Sequence, residues 1–227
     1  SVVPINPELS PNEILYILND SEAVLTLTDQ IHLSLIKSVD KITPNTIKFC
    51  NIDDNLQFFL SKTKNLLVRT VTPNSEASLI YTSGTTGHPK GCILSHEYEL
   101  MCGDSYRSIG SPVQLRVNED RIFNPLPSFH INAGVLTFFA SILTGNCLIQ
   151  PRRFSASTWW RDIDETKATI FHYLGVIIAV ILKTIKETDA NLSSIRVGLG
   201  AGVEPTLHEE FEEHFNIPLI EVWGMTE

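Results

Sequence analysis

The chain has 227 residues, a formal net charge of −9 and 43% hydrophobic residues. This length and composition suit a folded protein with a substantial core and exclude a disordered chain. Because 26 acidic residues outnumber 17 basic ones, the composition argues against nucleic acid or an anionic membrane as a main partner. A local anion site remains open, since backbone amides bind phosphate without net positive charge.

The composition also predicts no transmembrane segment and a cytoplasmic location. The longest apolar run, near residues 176–182, is shorter than the ~20 residues that span a bilayer. The cysteines lack the spacing of metal ligands, so we predict four buried, reduced thiols. These cysteines are Cys50, Cys92, Cys102 and Cys147.

In the first part of the chain, the pattern predicts a helix at Pro11–Asn19 and strands at Ala23–Thr28, Thr46–Cys50 and Ser78–Thr82. Ser95 is a predicted N-cap for a helix that ends near Arg107, with Glu97 in its first turn. The segment 62–74 is polar at both ends. It is the best candidate for a boundary between subdomains.

From residue 121 onward, strand-like and helix-like segments alternate. Strands are predicted at Arg121–Pro125, Asn146–Gln150, Ala168–Leu174, Ile195–Leu199 and Pro218–Trp223. Helices are predicted at Asn132–Leu143, from an N-cap at Ser155 through Lys167, at Val176–Glu187 and at Glu204–Phe215. This order is typical of right-handed βαβ crossovers, so we predict an α/β fold with mostly parallel sheets flanked by helices.

The strongest chemical signal is the glycine-rich loop YTSGTTGHPKG, from Tyr81 to Gly91. Its glycines let the backbone approach a ligand closely, while its hydroxyls, amides and Lys90 can bind phosphate oxygens. The loop is not a Walker A loop, which needs four residues between its glycines and Ser or Thr after the lysine. Here Gly84 and Gly87 have two residues between them, and Gly91 follows Lys90.

The loop resembles the signature of the adenylate-forming superfamily, which ends in Pro-Lys-Gly. The resemblance covers nearly the whole chain and implies a partial large N-terminal domain over residues 1–227. It also implies that the loop residues bind the β- and γ-phosphates of ATP. Those residues are Thr82, Ser83, Gly84, Thr85, Thr86, Gly87 and Lys90.

Three further segments resemble motifs of the same superfamily, in the expected order. They are FNPLPSFH at 123–130, GAGVEP at 200–205 and EVWGMTE at 221–227. The resemblance places His130 between the ATP phosphates and the acid pocket, and the turn Gly200, Ala201 and Gly202 along one face of adenine.

In the last of these segments, Trp223 stands where Tyr is usual. The resemblance implies that Trp223 stacks on adenine, that Thr226 contacts phosphate and that Glu227 binds Mg²⁺, with Thr82 as a second ligand. Glu221, Val222 and Gly224 complete the predicted nucleotide site.

The resemblance implies that an organic acid is activated by ATP to an acyl-adenylate and then transferred to coenzyme A. Amino-acid-activating relatives usually carry Asp at the place of His130, so a fatty or related organic acid is favoured. The stretch Ser128–Arg161 is similar to the carnitine/crotonobetaine-CoA ligase group. The sequence does not specify the oligomeric state.

Several alternatives stay open at this point. They are an adenylation domain that loads a carrier protein, a non-catalytic nucleotide-binding module and a luciferase-type oxidase. An unrelated P-loop NTPase is disfavoured by the missing Walker A spacing. Since members of the superfamily extend beyond this motif to a small C-terminal domain, we expect a fragment that lacks this domain and adenylates poorly alone.

Overall fold

The computed structural model describes residues 1–42, 48–53, 70–82, 87–184 and 188–226, without the side chains of residues 40–42. The chain divides into a first unit, residues 1–96, and a second unit, residues 97–227. The predicted boundary near residues 62–74 lies mostly outside the described residues and stays a prediction. In the described parts of the chain, no helix is both long and apolar enough to cross a membrane.

The first unit contains two helices and two pairs of strands among its described residues. They are α1 (Pro11–Asp20), β1 (Leu25–Thr28), α2 (Leu33–Ile42), β2 (Lys48–Asn51), β3 (Glu76–Thr82) and β4 (Lys90–Ser95). β1 pairs with β2 in parallel, and β3 pairs with β4 antiparallel. Neither α2 nor β4 was predicted from the sequence.

Helix α1 begins with a capping box. The Ser10 side chain accepts a hydrogen bond from the backbone N–H of Glu13, and the Glu13 carboxylate accepts one from the backbone N–H of Ser10. Pro11 occupies the first turn, where its missing N–H has no cost. The apolar face of the helix places Ile14 and Leu18 in a small core with Val39 of α2.

The second unit alternates strands and helices, as predicted. After α3 (His96–Ser108), its elements are β5 (Arg121–Phe123), a π-helix (Asn132–Thr137), α4 (Phe138–Thr144), β6 (Cys147–Ile149), a 3-10 turn (Ala156–Thr158), α5 (Trp159–Thr166), β7 (Ile170–Leu174), α6 (Gly175–Thr184), β8 (Val197–Ala201), α7 (Pro205–Phe215) and β9 (Leu219–Glu221). The strands form a parallel sheet in the order β6-β5-β7-β8-β9. This sheet confirms the α/β prediction.

Three details differ from the sequence predictions. The predicted helix Asn132–Leu143 begins as a π-helix. Ser155 does not cap the following helix, because its side chain makes no capping hydrogen bond. All four cysteines are free as predicted, but only Cys50 is buried. The other three are partly exposed, since Cys92 lies in a two-stranded sheet, Cys102 in a helix and Cys147 in the edge strand β6.

The amino ends of three neighbouring strands are joined by a buried ion pair. Asp120 precedes β5, Thr169 precedes β7 and Arg196 precedes β8. An Nη atom of Arg196 lies 2.8 Å from the Asp120 carboxylate, whose side chain is 1% exposed. Thr169 donates its hydroxyl to the same carboxylate at 2.8 Å, and Arg196 also donates to the carbonyls of Pro112 and Gln114.

Opposing effects act on the pKa of Asp120. Burial raises it, but hydrogen bonds from Arg196, the Arg116 amide and Thr169 outweigh burial, so the pKa lies below its ordinary value. A lowered carboxyl pKa stabilises the fold above the unfolded pKa of about 4, and this contribution is lost as the pH falls through the folded value. The ion pair is therefore intact at neutral pH.

The buried His172 predicts a second pH dependence. It lies in the central strand β7, is 0% exposed, and its Nε2 is 3.0 Å from the Tyr106 hydroxyl. Burial lowers its pKa from 6.5 to about 3. The neutral ring therefore stabilises the fold fully above about pH 6.5, and this contribution is lost as the pH falls towards about 3.

We expect this group alone to cost about 2 kcal/mol of unfolding free energy between about pH 7.5 and about pH 5. Urea unfolding of the wild type and His172→Gln at both pH values measures the effect, because Gln keeps an acceptor for Tyr106 but does not titrate. His96→Gln, at a half-buried histidine, serves as the matched control. Equal pH slopes for the wild type and His172→Gln would contradict the prediction.

Candidate functional site

The predicted phosphate loop connects the antiparallel strands of the first unit. Thr82 ends β3 and Lys90 begins β4, and the two residues are register partners. Gly87 and Lys90 are exposed, and Thr82 is half-buried. Ser83, Gly84, Thr85 and Thr86 lie outside the described residues. The hairpin therefore places both ends of the seven-residue connection, residues 83–89, side by side.

Helix α1 holds the end of this loop. The Tyr16 hydroxyl donates a hydrogen bond to the carbonyl of Pro89 at 3.2 Å, and the Tyr16 ring stacks on His88 with centroids 4.5 Å apart. Tyr81, the next-to-last residue of β3, donates its hydroxyl to Asp20 at 2.7 Å. These contacts fix the backbone on both sides of the loop while leaving Lys90 accessible.

The remaining predicted site residues share one edge of the second unit's sheet. His130 follows β5, the turn Gly200–Gly202 ends β8, and the segment Glu221–Thr226 begins at the end of β9. These strands are parallel, so their carboxyl ends lie at the same edge, where ligands bind in open α/β sheets. The structure therefore places these three motifs along one edge.

The turn after β8 needs its two glycines for different reasons, lack of room at Gly200 and a left-handed backbone at Gly202. A Cβ atom on Gly200 would clash with the carbonyl oxygen of Tyr173, and one on Gly175 would clash with that of Gly202. Gly202 has a φ of +76°, which favours glycine. A Cβ on Gly202 would meet nothing within 4 Å, so the backbone is open to a flat group at Gly202.

Glu221 and Val222 join this turn to the end of β9. The Glu221 carboxylate accepts a hydrogen bond from the Val203 amide at 2.7 Å. The Val222 amide donates to the Gly200 carbonyl at 2.8 Å. Glu221 was predicted to bind nucleotide, and here its carboxylate holds the turn in place.

The residues beyond β9 carry an exposed aromatic ring. Trp223 is 85% exposed and Met225 is 55% exposed, and Gly224 is also exposed. The Tyr98 hydroxyl donates to the carbonyl of Thr226 at 3.2 Å, which ties this segment to α3. Glu227 lies outside the described residues. The Trp223 ring is therefore open to a planar ligand.

His130 lies in a tight turn that joins β5 to the π-helix. Its amide donates to the Pro127 carbonyl at 3.0 Å, and its own carbonyl accepts from the Gly134 amide at 2.9 Å. The residue is exposed, yet the protein atoms around its ring partly desolvate it and lower its pKa below 6.5. The imidazole is thus mainly neutral at pH 7, with one N–H donor.

No role was predicted for Asn124, Tyr16 or Asp20. Each supports a segment that carries predicted site residues. Tyr16 and Asp20 do so through contacts between residues distant along the chain, and Asn124 does so through hydrogen bonds across a turn. Only Asn124 had a sequence signal for such a supporting role, because Asn is uncommon at the end of an apolar strand.

Among the described residues, no group of three or more His, Cys, Asp or Glu side chains could hold a metal ion.

Comparisons with known proteins identify the family and the fold. The family model described as AMP-binding enzyme matches residues 1–227. The chain is 34% identical over 151 residues to a very long-chain fatty acid transport protein from Saccharomyces cerevisiae. It is 35% identical over 156 residues to a sulfoacetate–CoA ligase from Cupriavidus necator. These alignments cover 66% and 68% of this chain but 22% and 30% of those proteins.

Solved structures match nearly the whole chain. The inhibitor-bound N-terminal domain of FACL13 from Mycobacterium tuberculosis gives a TM-score of 0.86 at 25% identity, over 99% of this chain and 56% of that one. The o-succinylbenzoate CoA synthetase from Bacillus subtilis, in complex with ATP and magnesium ion, gives 0.77 at 27% identity, over 98% of this chain and 44% of that one. The chain thus spans about a quarter of its two curated relatives and about half of these structures.

Proposed function

The chain belongs to the AMP-binding enzyme family, and from this premise we propose that it supplies the nucleotide-binding and acid-activating part of an AMP-forming acid–thiol ligase. The observation that carries the proposal is the link between two neighbouring strand ends. The bare turn Gly200–Gly202 is bonded through the Val222 amide to the segment that presents the exposed Trp223. This edge offers adenine both a backbone surface and an aromatic ring.

In the proposed first step, a carboxylate oxygen of the acid attacks the α-phosphorus of ATP and pyrophosphate leaves. In the second step, the thiolate of coenzyme A attacks the acyl carbon and AMP leaves, giving the thioester. The reactants of the first step are anions that repel each other. Positioning and charge neutralisation are therefore the main tasks of the protein.

The residues divide these tasks. Lys90, Thr82 and the loop between them would bind the β- and γ-phosphates, since an ammonium, hydroxyls and amides are suitable donors. The neutral imidazole of His130 would donate its N–H to a phosphate or acyl oxygen. Thr226 would contact the α-phosphate.

Magnesium fits this donor set. Mg²⁺ commonly binds through one or two carboxylates, substrate phosphates and water rather than through a cage of side chains. Glu227 is the proposed carboxylate and Thr82 the proposed second ligand. When bound, the ion offsets phosphate charge.

We propose a fatty or related organic acid as the substrate class. The curated relatives include proteins named for long-chain fatty acid transport and for the CoA ligation of sulfoacetate, which supports an organic acid as the substrate. The similarity to carnitine-type ligases and the cytoplasmic location stay predictions.

The proposal is tested by pyrophosphate release. The complete natural gene product is incubated with ATP, Mg²⁺ and a panel of acids of different chain length, with and without coenzyme A. We expect release that depends on the acid, and a thioester when coenzyme A is present. Acid-dependent release without a thioester would favour the carrier-protein alternative, and ATP binding without any release would favour a non-catalytic module.

A further inference from the structure

The turn that carries His130 is built around a buried amide. Asn124 directly follows β5 and is 0% exposed. Its Nδ2 donates to Asn132 Oδ1 at 2.9 Å and to Thr137 Oγ1 at 2.8 Å. Its Oδ1 accepts from the Leu126 amide at 3.0 Å. A buried amide with three partners is strongly fixed in place, because losing any of them leaves a buried polar group unpaired.

This amide holds both ends of the turn. The bond to the Leu126 amide fixes the chain before His130, and the bonds to Asn132 and Thr137 fix the chain after it. Thr137, also 0% exposed, donates its hydroxyl to the Asn132 carbonyl at 2.8 Å. This side-chain contact joins residues five apart and therefore spans one turn of the π-helix, a feature often found at functional sites.

The turn then packs on the π-helix at a glycine. A Cβ atom on Gly134 would clash with the Ser128 carbonyl, so the turn can lie directly on the helix. The His130 backbone is bonded on both sides, to Pro127 and Gly134. The direction of the imidazole is consequently set by a turn whose shape depends on Asn124.

We propose that Asn124, together with Thr137, is a positioning residue that sets the location of His130 for acid activation. The inference rests on the proposed function, in which His130 contacts the reacting groups. Asn124 is buried and touches no substrate, so it acts only through the turn. A displacement of about 1 Å in a reacting group can lower a rate by about 100-fold.

The first test is kinetic and uses the complete gene product. We expect Asn124→Ala to lower kcat by about 10- to 100-fold while KM for ATP changes less than about twofold. Thr137→Val removes the hydroxyl and is expected to lower kcat in the same way, whereas Thr137→Ser keeps it and should restore most of the activity. This Val and Ser pair decides the question if Asn124→Ala does not fold.

The second test separates positioning from general structure. In a His130→Ala background, Asn124→Ala and Thr137→Val should cause little further loss, because the group that they position is already absent. Losses that multiply with that of His130→Ala, or a rise in KM for ATP that accounts for the whole effect, would overturn the proposal.

A third measurement does not depend on activity. NMR titration of the His130 ring is expected to give a pKa closer to 6.5 in Thr137→Val than in the wild type or Thr137→Ser, because a released turn exposes the ring to water. An unchanged pKa overturns the positioning of His130 by this network. If the wild type shows no acid-dependent pyrophosphate release, the proposed function is rejected. The NMR titration then still decides whether Asn124 and Thr137 position the His130 ring.

Discussion

Replacing Lys90 with Ala is expected to lower kcat/KM for acid activation by about 100- to 1000-fold, the usual cost of removing one group that stabilises developing charge. Lys90 begins β4 beside Thr82, at the mouth of the predicted phosphate loop, and it is exposed. The attack of a carboxylate on ATP brings anions together, and the ammonium offsets part of their repulsion. Initial rates of pyrophosphate release at varied ATP and saturating acid give kcat/KM for ATP, which measures the effect.

A matched control separates this local role from a change in net charge. Lys48→Ala removes another exposed lysine, at the start of β2, and is expected to leave kcat/KM unchanged. Both variants should keep their unfolding free energy within about 0.5 kcal/mol of the wild type, as is usual for surface substitutions. If Lys90→Ala retains wild-type kcat/KM, Lys90 does not bind the transferring nucleotide.

Replacing Arg196 with Met is expected to lower the free energy of unfolding by about 3 to 5 kcal/mol, the usual cost of removing one partner of a buried ion pair. Asp120 is 1% exposed and would keep its charge without its main partner. The substitution also removes the donors to the carbonyls of Pro112 and Gln114. Urea unfolding at pH 7 measures the loss.

An exposed ion pair provides the control for this stability effect. Arg161, whose side chain is 62% exposed, lies 3.2 Å from Asp162 and 3.9 Å from Glu165. Arg161→Met is expected to cost no more than about 1 kcal/mol, because exposed pairs are screened by water. A loss below about 1 kcal/mol for Arg196→Met as well would show that the Asp120 cluster does not hold the strand ends together.

The strands and helices of the second unit could be predicted because their hydrophobic pattern is local. The predicted strand Ala168–Leu174 contains β7, and the predicted helix Glu204–Phe215 differs from α7 by one residue. The π-helix could not be predicted in this way. Its wide turn is accompanied by hydrogen bonds among Asn124, Asn132 and Thr137, which the periodicity of residues 132–143 does not reveal.

In the first unit, β4 was missed for a related reason. Residues 90–95 form a short run whose extended conformation is stabilised by pairing with β3. Because this pairing is a contact between separate segments, residues 90–95 considered alone do not show a strand pattern and look like a continuation of the loop. The consequence for the site is direct, because Lys90 begins a strand and is held opposite Thr82 instead of ending a free loop.

The sequence motifs identified the candidate site residues, but only the structure shows the hydrogen bonds and ring contacts that hold them in place. The exposed Trp223 was predicted as a ring for stacking, and its 85% exposure is compatible with that role. By contrast, the bond from the Val203 amide to Glu221 and the stacking of Tyr16 on His88 join residues far apart in the sequence. Such contacts have no local signature.

The central claim, that a carboxylate attacks the α-phosphorus of ATP, is tested most directly by isotope transfer. The complete gene product is given an accepted organic acid labelled with ¹⁸O in its carboxylate, together with ATP, Mg²⁺ and coenzyme A. Because a carboxylate oxygen bridges to the α-phosphorus and leaves with it when the thioester forms, the account predicts one ¹⁸O atom in each AMP released. Label in orthophosphate with formation of ADP, or AMP free of label, would contradict it.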